Sequence, residues 1–178
     1  MTDQAVATFQ ENLRGRLVRP SDADYDAIRA LYNGMIDKRP LLILRCANVA
    51  DVIAGVRFAR EEGMLLAIRG GGHNGPGLGS CDDGVVVDLS TMKGVRVDPE
   101  RRTVRVDAGC TSGDVDPATH AVGLAIPFGI VSTTGVATDE VDVASGPDRL
   151  DVSRASGGDF WDQSQDARET RENLQELI

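Results

Sequence analysis

The stretch of this chain with the most chemical potential is Arg69-Gly70-Gly71-Gly72-His73-Asn74-Gly75-Pro76-Gly77-Leu78-Gly79, and seven glycines fall between positions 70 and 84. Glycine admits positive φ, so successive N–H groups can converge into a concave anion-binding nest. With no side chains in the way, the main chain can lie directly against a large phosphate ester. Local N–H donors of this kind can hold a pyrophosphate even on an acidic protein. The alternative is a flexible loop that binds nothing, and the histidine set among the glycines argues against it. Neutral imidazole is a competent nucleophile near pH 7, and His73 follows three glycines at the point where a phosphate ligand would lie. Its plain alternative is a solvent-exposed loop histidine. The only other histidine, His120, falls late in an expected helix before Gly123 and reads as a surface or helix-end residue.

Two common phosphate motifs are excluded. Gly70-x-Gly72-x-x-Gly75 has the spacing of a dinucleotide fingerprint, and Asp88 ends the next strand at about the expected distance. That fingerprint requires a helix opening at its third glycine. Pro76 and the glycines at 75, 77, 79 and 84 leave no room for one. The reading is strand–loop–strand, which rules out a nicotinamide site. No Gly-Lys-Ser/Thr follows the glycines, so the loop is not a P-loop either.

The elements around the loop follow from periodicity and punctuation. Pro40 opens the apolar run Leu41-Leu42-Ile43-Leu44, a short buried strand. Asn48 caps a helix in which Val52, Ile53, Val56 and Ala59 recur at helical spacing through Glu62, and Gly63 stops it. Leu65 to Arg69 is the next strand, so two strands around one helix predict a parallel βαβ unit. Val85 to Leu89 is a further strand. Val95-Arg96-Val97, the turn Asp98-Pro99-Glu100 and Thr103 to Val106 predict a hairpin. Asp114 through Val122 reads as a helix with Gly123 as its stop, and Leu124-Ala125-Ile126 as a short extended piece broken by Pro127. Upstream, residues 4–13 form a weak helix, and Pro20-Ser21 caps a helix or turn through about Tyr32. Downstream, Val141 to Val143 and Leu150 to Val152 suggest a hairpin about Gly146-Pro147-Asp148, and the polar tail from Asp159 suggests a marginal helix.

Composition limits the function. The chain has 178 residues, 41% hydrophobic and 26% charged, which is an ordinary globular balance. Its net charge of −9 opposes general nucleic-acid binding and attachment to an anionic membrane. At 4% the aromatic content offers few stacking platforms for bases. The N-terminal stretch lacks the basic head and apolar core of a secretory signal, and no apolar run approaches a membrane span. Cys46, Cys81 and Cys110 are odd in number and widely spaced, which argues against a disulfide framework or a zinc site; no metal site is expected. Free, mostly buried thiols in the cytoplasm are the expectation.

Four segments in order carry a family resemblance. They are Gly71-Gly72-His73-Asn74 with Gly77-Leu78; Val87-Asp88-Leu89-Ser90-Thr91-Met92; the run from Asp107-Ala108-Gly109-Cys110 to Asp116; and Gly129-Ile130-Val131-Ser132-Thr133-Thr134-Gly135-Val136-Ala137. Together they resemble the FAD-binding domain of the p-cresol methylhydroxylase (PCMH) and vanillyl-alcohol oxidase superfamily, nearest its berberine-bridge-enzyme-like oxidases, over residues 38–137. No single segment would carry it. The resemblance implies an α+β fold of the PCMH type, in which a small parallel βαβ unit precedes a mainly antiparallel sheet with flanking helices. It implies an N-terminal helical segment (1–37), a first FAD-binding subdomain (38–90), an incomplete second one (91–158) and a charged tail (159–178). It also implies an FAD site made by Arg69, Gly70, Gly71, Gly72, His73, Asn74, Gly77, Leu78, Ser132, Thr133, Gly135 and Val143. The loop would hold the pyrophosphate. His73 matches a histidine commonly bonded through its ring nitrogen to the flavin 8α-methyl carbon. Where some members add a cysteine link this chain has Val131 or Ser132, so a second bond is not expected. Cys110 lies in a different motif.

The departures are equally specific. After Ala137 the family continues with a second glycine-rich stretch, whereas Thr138-Asp139-Glu140 follows here. Asp159-Phe160-Trp161 looks like a later family motif, after which this chain ends in a charged tail. The resemblance therefore implies a truncated, internally deleted member without a substrate domain. Two functions are expected from it. One is a flavin-dependent oxidase-like oxidoreductase, passing hydride from an unspecified small organic substrate to flavin and then to oxygen. This chain nominates no catalytic base, and a second copy or a partner subunit would supply it. The other is a degenerate, non-catalytic member acting as a binding or interaction protein, its uncovered apolar surface and sheet edges favouring association.

Overall fold

The computed structural model describes residues 2–126 and 130–137. Pro127, Gly129, Val143, the expected strands at 141–143 and 150–152, the Phe160-Trp161 pair and the tail from 159 lie outside the described residues.

The apolar runs at 42–44 and 85–87 lack polar alternation, the pattern of strands covered on both faces. Both become inner strands of a four-stranded sheet. Its strands are β1 (Arg16–Val18), β2 (Leu42–Arg45), β3 (Leu66–Arg69) and β4 (Val85–Asp88), in the order β1-β2-β4-β3. β1 runs antiparallel to β2, while β2 and β3 both run parallel to β4. The fold is α+β.

Helices cover one face. α1 (Asp3–Glu11) is capped by Thr2, whose side chain accepts from the Ala5 N–H. α3 (Val49–Glu61) is capped by Asn48, whose Oδ1 accepts from the Asp51 N–H at 3.2 Å, and Gly63 follows its end with φ +63°. Phe9 of α1 stacks on Phe58 of α3, centroids 4.2 Å apart, over Leu42, Leu44, Val85 and Val87. α3 lies close to the sheet because Gly55 faces it: a Cβ there would come 2.7 Å from Leu44 Cδ2. The alternate residues Val18, Ile43, Ala67 and Val86 pack the opposite face with Tyr25 and Cys81. Tyr25 lies in α2 (Tyr25–Arg29), and its hydroxyl donates to the Pro40 carbonyl at 2.7 Å.

Beyond the sheet, β5 (Val95–Asp98) and β6 (Thr103–Val106) form the expected antiparallel hairpin, followed by α4 (Ser112–His120). Val104, Cys110, Val115 and Val136 make a third, smaller core there, with Ile126 packed against it.

The structure differs from the sequence expectation in four places. β2 and β3 flank α3 as expected, but β4 inserts between them, so the βαβ strands are not neighbours. The N-terminal segment is not only helical, because β1 adds an edge strand to the sheet. Of the helix or turn expected through about Tyr32, only the five residues of Tyr25–Arg29 are helical. α4 runs from Ser112 to His120, two residues earlier at each end than the expected Asp114 to Val122.

One carboxylate ties the N-terminal segment to the body. Asp51, 2% exposed, accepts from the N–H groups of Arg14 (3.0 Å), Gly15 (2.9 Å) and Ala47 (2.8 Å). Asp51→Ala would strand all three donors, so a loss of about 3 kcal/mol in unfolding free energy is expected by urea denaturation. A loss below about 1 kcal/mol would show that water replaces the carboxylate freely.

A candidate cofactor site at the glycine loop

The three parallel strands end level with one another. Arg45, Asp88 and Arg69 are register partners across β2, β4 and β3. They continue the face that carries Ile43, Val86 and Ala67. The Asp88 Oδ2 accepts from Arg69 Nη2 at 2.7 Å, with both side chains buried, and Arg45 Nε lies 3.8 Å from the same oxygen. Asp88 Oδ1 accepts from the Ser90 N–H. Asp88 is therefore the internal counter-ion of Arg69, which explains its place at the strand end without a nucleotide ribose. Arg69 Nη1 also donates to the Arg29 carbonyl at 3.4 Å, so its guanidinium is committed inside the protein.

The glycine loop leaves β3 at this level and returns as β4 with no helix between them. Its carbonyls are bonded to a preceding segment that runs beside it as a strap. The Tyr32 N–H donates to Gly72 O (3.3 Å), Asn33 Nδ2 to Gly75 O (2.9 Å), and Lys38 Nζ to Gly77 O (2.8 Å) and Ser80 O (3.0 Å). Ile36 packs over Gly77, whose φ is +73° and where a Cβ would come 2.7 Å from Ile36 Cγ2. Asn74 closes the turn from within, its carbonyl accepting from the Gly77 N–H and its Oδ1 from the Leu78 N–H. The N–H groups behave differently. From Gly70 to Asn74, none donates to a described residue. Gly70 and Gly72 are buried, so their N–H groups are open valences that a ligand would fill.

These residues face a cleft of ≈ 210 Å³ lined by Ile68, Arg69, Gly70, Gly72, Asn74, Leu78, Gly79 and Ala137. Full small-molecule sites run to about 300–1,000 Å³. The cleft therefore suits the diphosphate of a dinucleotide rather than the whole molecule.

The second expected segment closes against the first. A Cβ on Gly71 would stand 2.5 Å from both Cα and N of Gly135, so the two backbones touch. The first turn of α4 and Cys110 just before it hold residues 132–136. Gly113 N–H donates to Ser132 O (2.8 Å), Ser112 N–H to Thr134 O (2.9 Å) and Val136 N–H to Cys110 O (2.9 Å).

Of the expected site residues, Arg69, Gly70, Gly72, Asn74 and Leu78 line the cleft. Gly71 and Gly135 meet each other backbone to backbone, and Gly77 lies under the strap. Ser132 and Thr133 are exposed beside Gly135. His73 is half-buried and does not line the cleft; its ring stacks on Tyr32 at 4.0 Å. Val143 lies outside the described residues. His120 is exposed at the end of α4. Cys46, Cys81 and Cys110 are free and buried; burial pushes the Cys46 thiol up to about 12 and raises the other two, which disfavours the thiolate at each. Sequence reading did not single out Tyr32, Asn33 or Lys38, because nothing local marks a strap whose partners lie some forty positions later.

Residues 40–138 match the family model described as FAD binding domain. The chain belongs to this FAD-binding domain family. A curated relative, (R)-6-hydroxynicotine oxidase of Paenarthrobacter nicotinovorans, is 34% identical over 70% of this chain and 26% of its own length. An FAD-linked oxidoreductase of Dictyostelium discoideum is 37% identical over 75% of this chain and 29% of its own. Among solved structures, the berberine-bridge-enzyme-like protein 1 of Physcomitrella patens superposes with a TM-score of 0.68 at 28% identity, covering 74% of this chain and 29% of that one. The chain thus spans little more than a quarter of the relatives it matches. Within it, the FAD-binding domain carries the features that fit a dinucleotide phosphate: open N–H valences, carbonyls turned away, and a side-chain-free contact at Gly71.

Two measurements test this geometry. Gly71→Ala should cost roughly 1–3 kcal/mol, because only backbone can yield. Gly75→Ala, whose Cβ would meet nothing within 4 Å, should leave the denaturation midpoint almost unmoved. The second concerns the α4 cap. Asp114 is held down to about 2 from the usual 3.8, first by Lys93 Nζ at 2.6 Å, then by the Thr111 N–H at 2.7 Å. Its folded value lies below its unfolded one, so this stabilisation is complete above about pH 4 and is lost as pH falls through about 2. Asp114→Asn should flatten that acid limb in a pH series of thermal melts, and an unchanged limb would refute the assignment.

Proposed function

We propose that this chain is the nucleotide-holding part of a flavin-dependent oxidase-like oxidoreductase. The observation that carries the reading is the row of N–H groups from Gly70 to Asn74 that donates to no described residue, beside a cleft lined by Gly70, Gly72, Asn74 and Ala137. Those donors would receive the FAD diphosphate, and Arg69, Asn74 and Leu78 would border it. A bound flavin supplies acceptance of hydride from a small organic substrate and its return to dioxygen. The protein's part is to hold and orient. The Asp88–Arg69 pair fixes the strand end from which the loop springs, and the strap fixes the loop's far side.

His73 is the proposed attachment point to the flavin, through a ring nitrogen. Support comes from its place in the Gly-Gly-His-Asn run next to the open N–H groups. No described residue is proposed as the catalytic base, so a second copy or a partner subunit is proposed to complete the substrate site. The proposed setting is the cytoplasm, in keeping with three free, buried thiols. No described helix is long and apolar enough to cross a membrane.

The visible spectrum of the purified chain, reconstituted with FAD, tests the reading. Flavin absorption should co-purify with the protein, persist after acid precipitation, and become acid-extractable in His73→Ala while remaining acid-stable in His120→Ala. A colourless protein that cannot be loaded would leave only a non-catalytic binding role.

A further inference from the structure

We propose that Tyr32 is a positioning residue for His73, an inference that rests on the flavin reading of the site given above. The Tyr32 ring lies parallel to the imidazole, centroids 4.0 Å apart and planes 17° from coincidence. Tyr32 is 68% exposed, so the contact is not a by-product of core packing. The imidazole makes no hydrogen bond to a described residue, which leaves the stack as the contact that selects its rotamer. The backbone is fixed to match. The Tyr32 N–H bonds Gly72 O just before His73, and the Asn33 side chain bonds Gly75 O just after it.

The physical consequence is preorganisation. A free imidazole loses rotamer freedom when it meets a ligand, whereas a stacked one has lost it beforehand. With one ring face covered by Tyr32, a ligand would approach the imidazole from the opposite face or the ring edge. Tyr32 precedes the stretch matched by the family model, which begins at residue 40. The role therefore belongs to this chain's strap and not to the matched motif.

The test compares wild type, Tyr32→Ala and Tyr32→Phe by proton NMR of the imidazole C–H signals without FAD, and by FAD titration. With two histidines in the chain, exposed His120 serves as the internal reference. Tyr32→Ala should move the His73 signals toward exposed values while leaving His120 and the melting temperature unchanged. The affinity of the initial FAD complex, before the bond to His73 forms, should fall roughly three- to tenfold, the factor an aromatic pair supports. Tyr32→Phe should restore both. Unmoved His73 signals in Tyr32→Ala overturn the inference, as does equal FAD affinity in a wild type that binds FAD. A wild type that takes up no FAD overturns the flavin reading itself and this inference with it.

Discussion

The structure turns on how the glycine loop divides its backbone polarity. A peptide carries equal numbers of donors and acceptors, and a loop that neutralised both would bind nothing. Here the carbonyls at Gly72, Gly75, Gly77 and Ser80 are bonded to the strap, while the N–H groups from Gly70 to Asn74 meet no described acceptor. The result is a local excess of positive dipole on a chain whose net charge is −9. Lys38 contributes without facing the cleft, since its ammonium holds two carbonyls away from it.

The sheet supplies the rigid base for this arrangement. Parallel neighbours need a long crossover, usually a helix. Between β3 and β4 that crossover is the glycine loop itself, and β4 is buried along its whole length. Both ends of the loop are thus anchored in adjacent, register-paired strands. The Arg69–Asp88 pair marks where the ladder stops and the loop begins. Replacing one partner would leave a buried charge uncompensated, which costs far more than such a pair contributes.

What could be read from the sequence was local. Asn48 and Gly63 bracket α3 because capping and positive φ act within a few residues. The loop, both hairpin strands and the α4 stop at Gly123 were legible for the same reason. β1 was not, because three residues with no alternation gain their structure wholly from pairing with β2. The insertion of β4 between β2 and β3 depends on the sheet as a whole. The strap was also hidden, since Tyr32, Asn33 and Lys38 acquire a role only through partners far along the chain. Gly71 and Gly135 were each singled out, but their mutual contact is a property of the folded backbone.

That contact has a consequence for biosynthesis. The strap, β3, the loop and β4 leave the ribosome before the hairpin and α4, and Gly135 emerges only after those. Closing so long a segment is entropically slow compared with forming the local elements. The Gly71–Gly135 contact therefore belongs to the last stage of assembling this region, and until then the loop's surface at Gly71 stays uncovered.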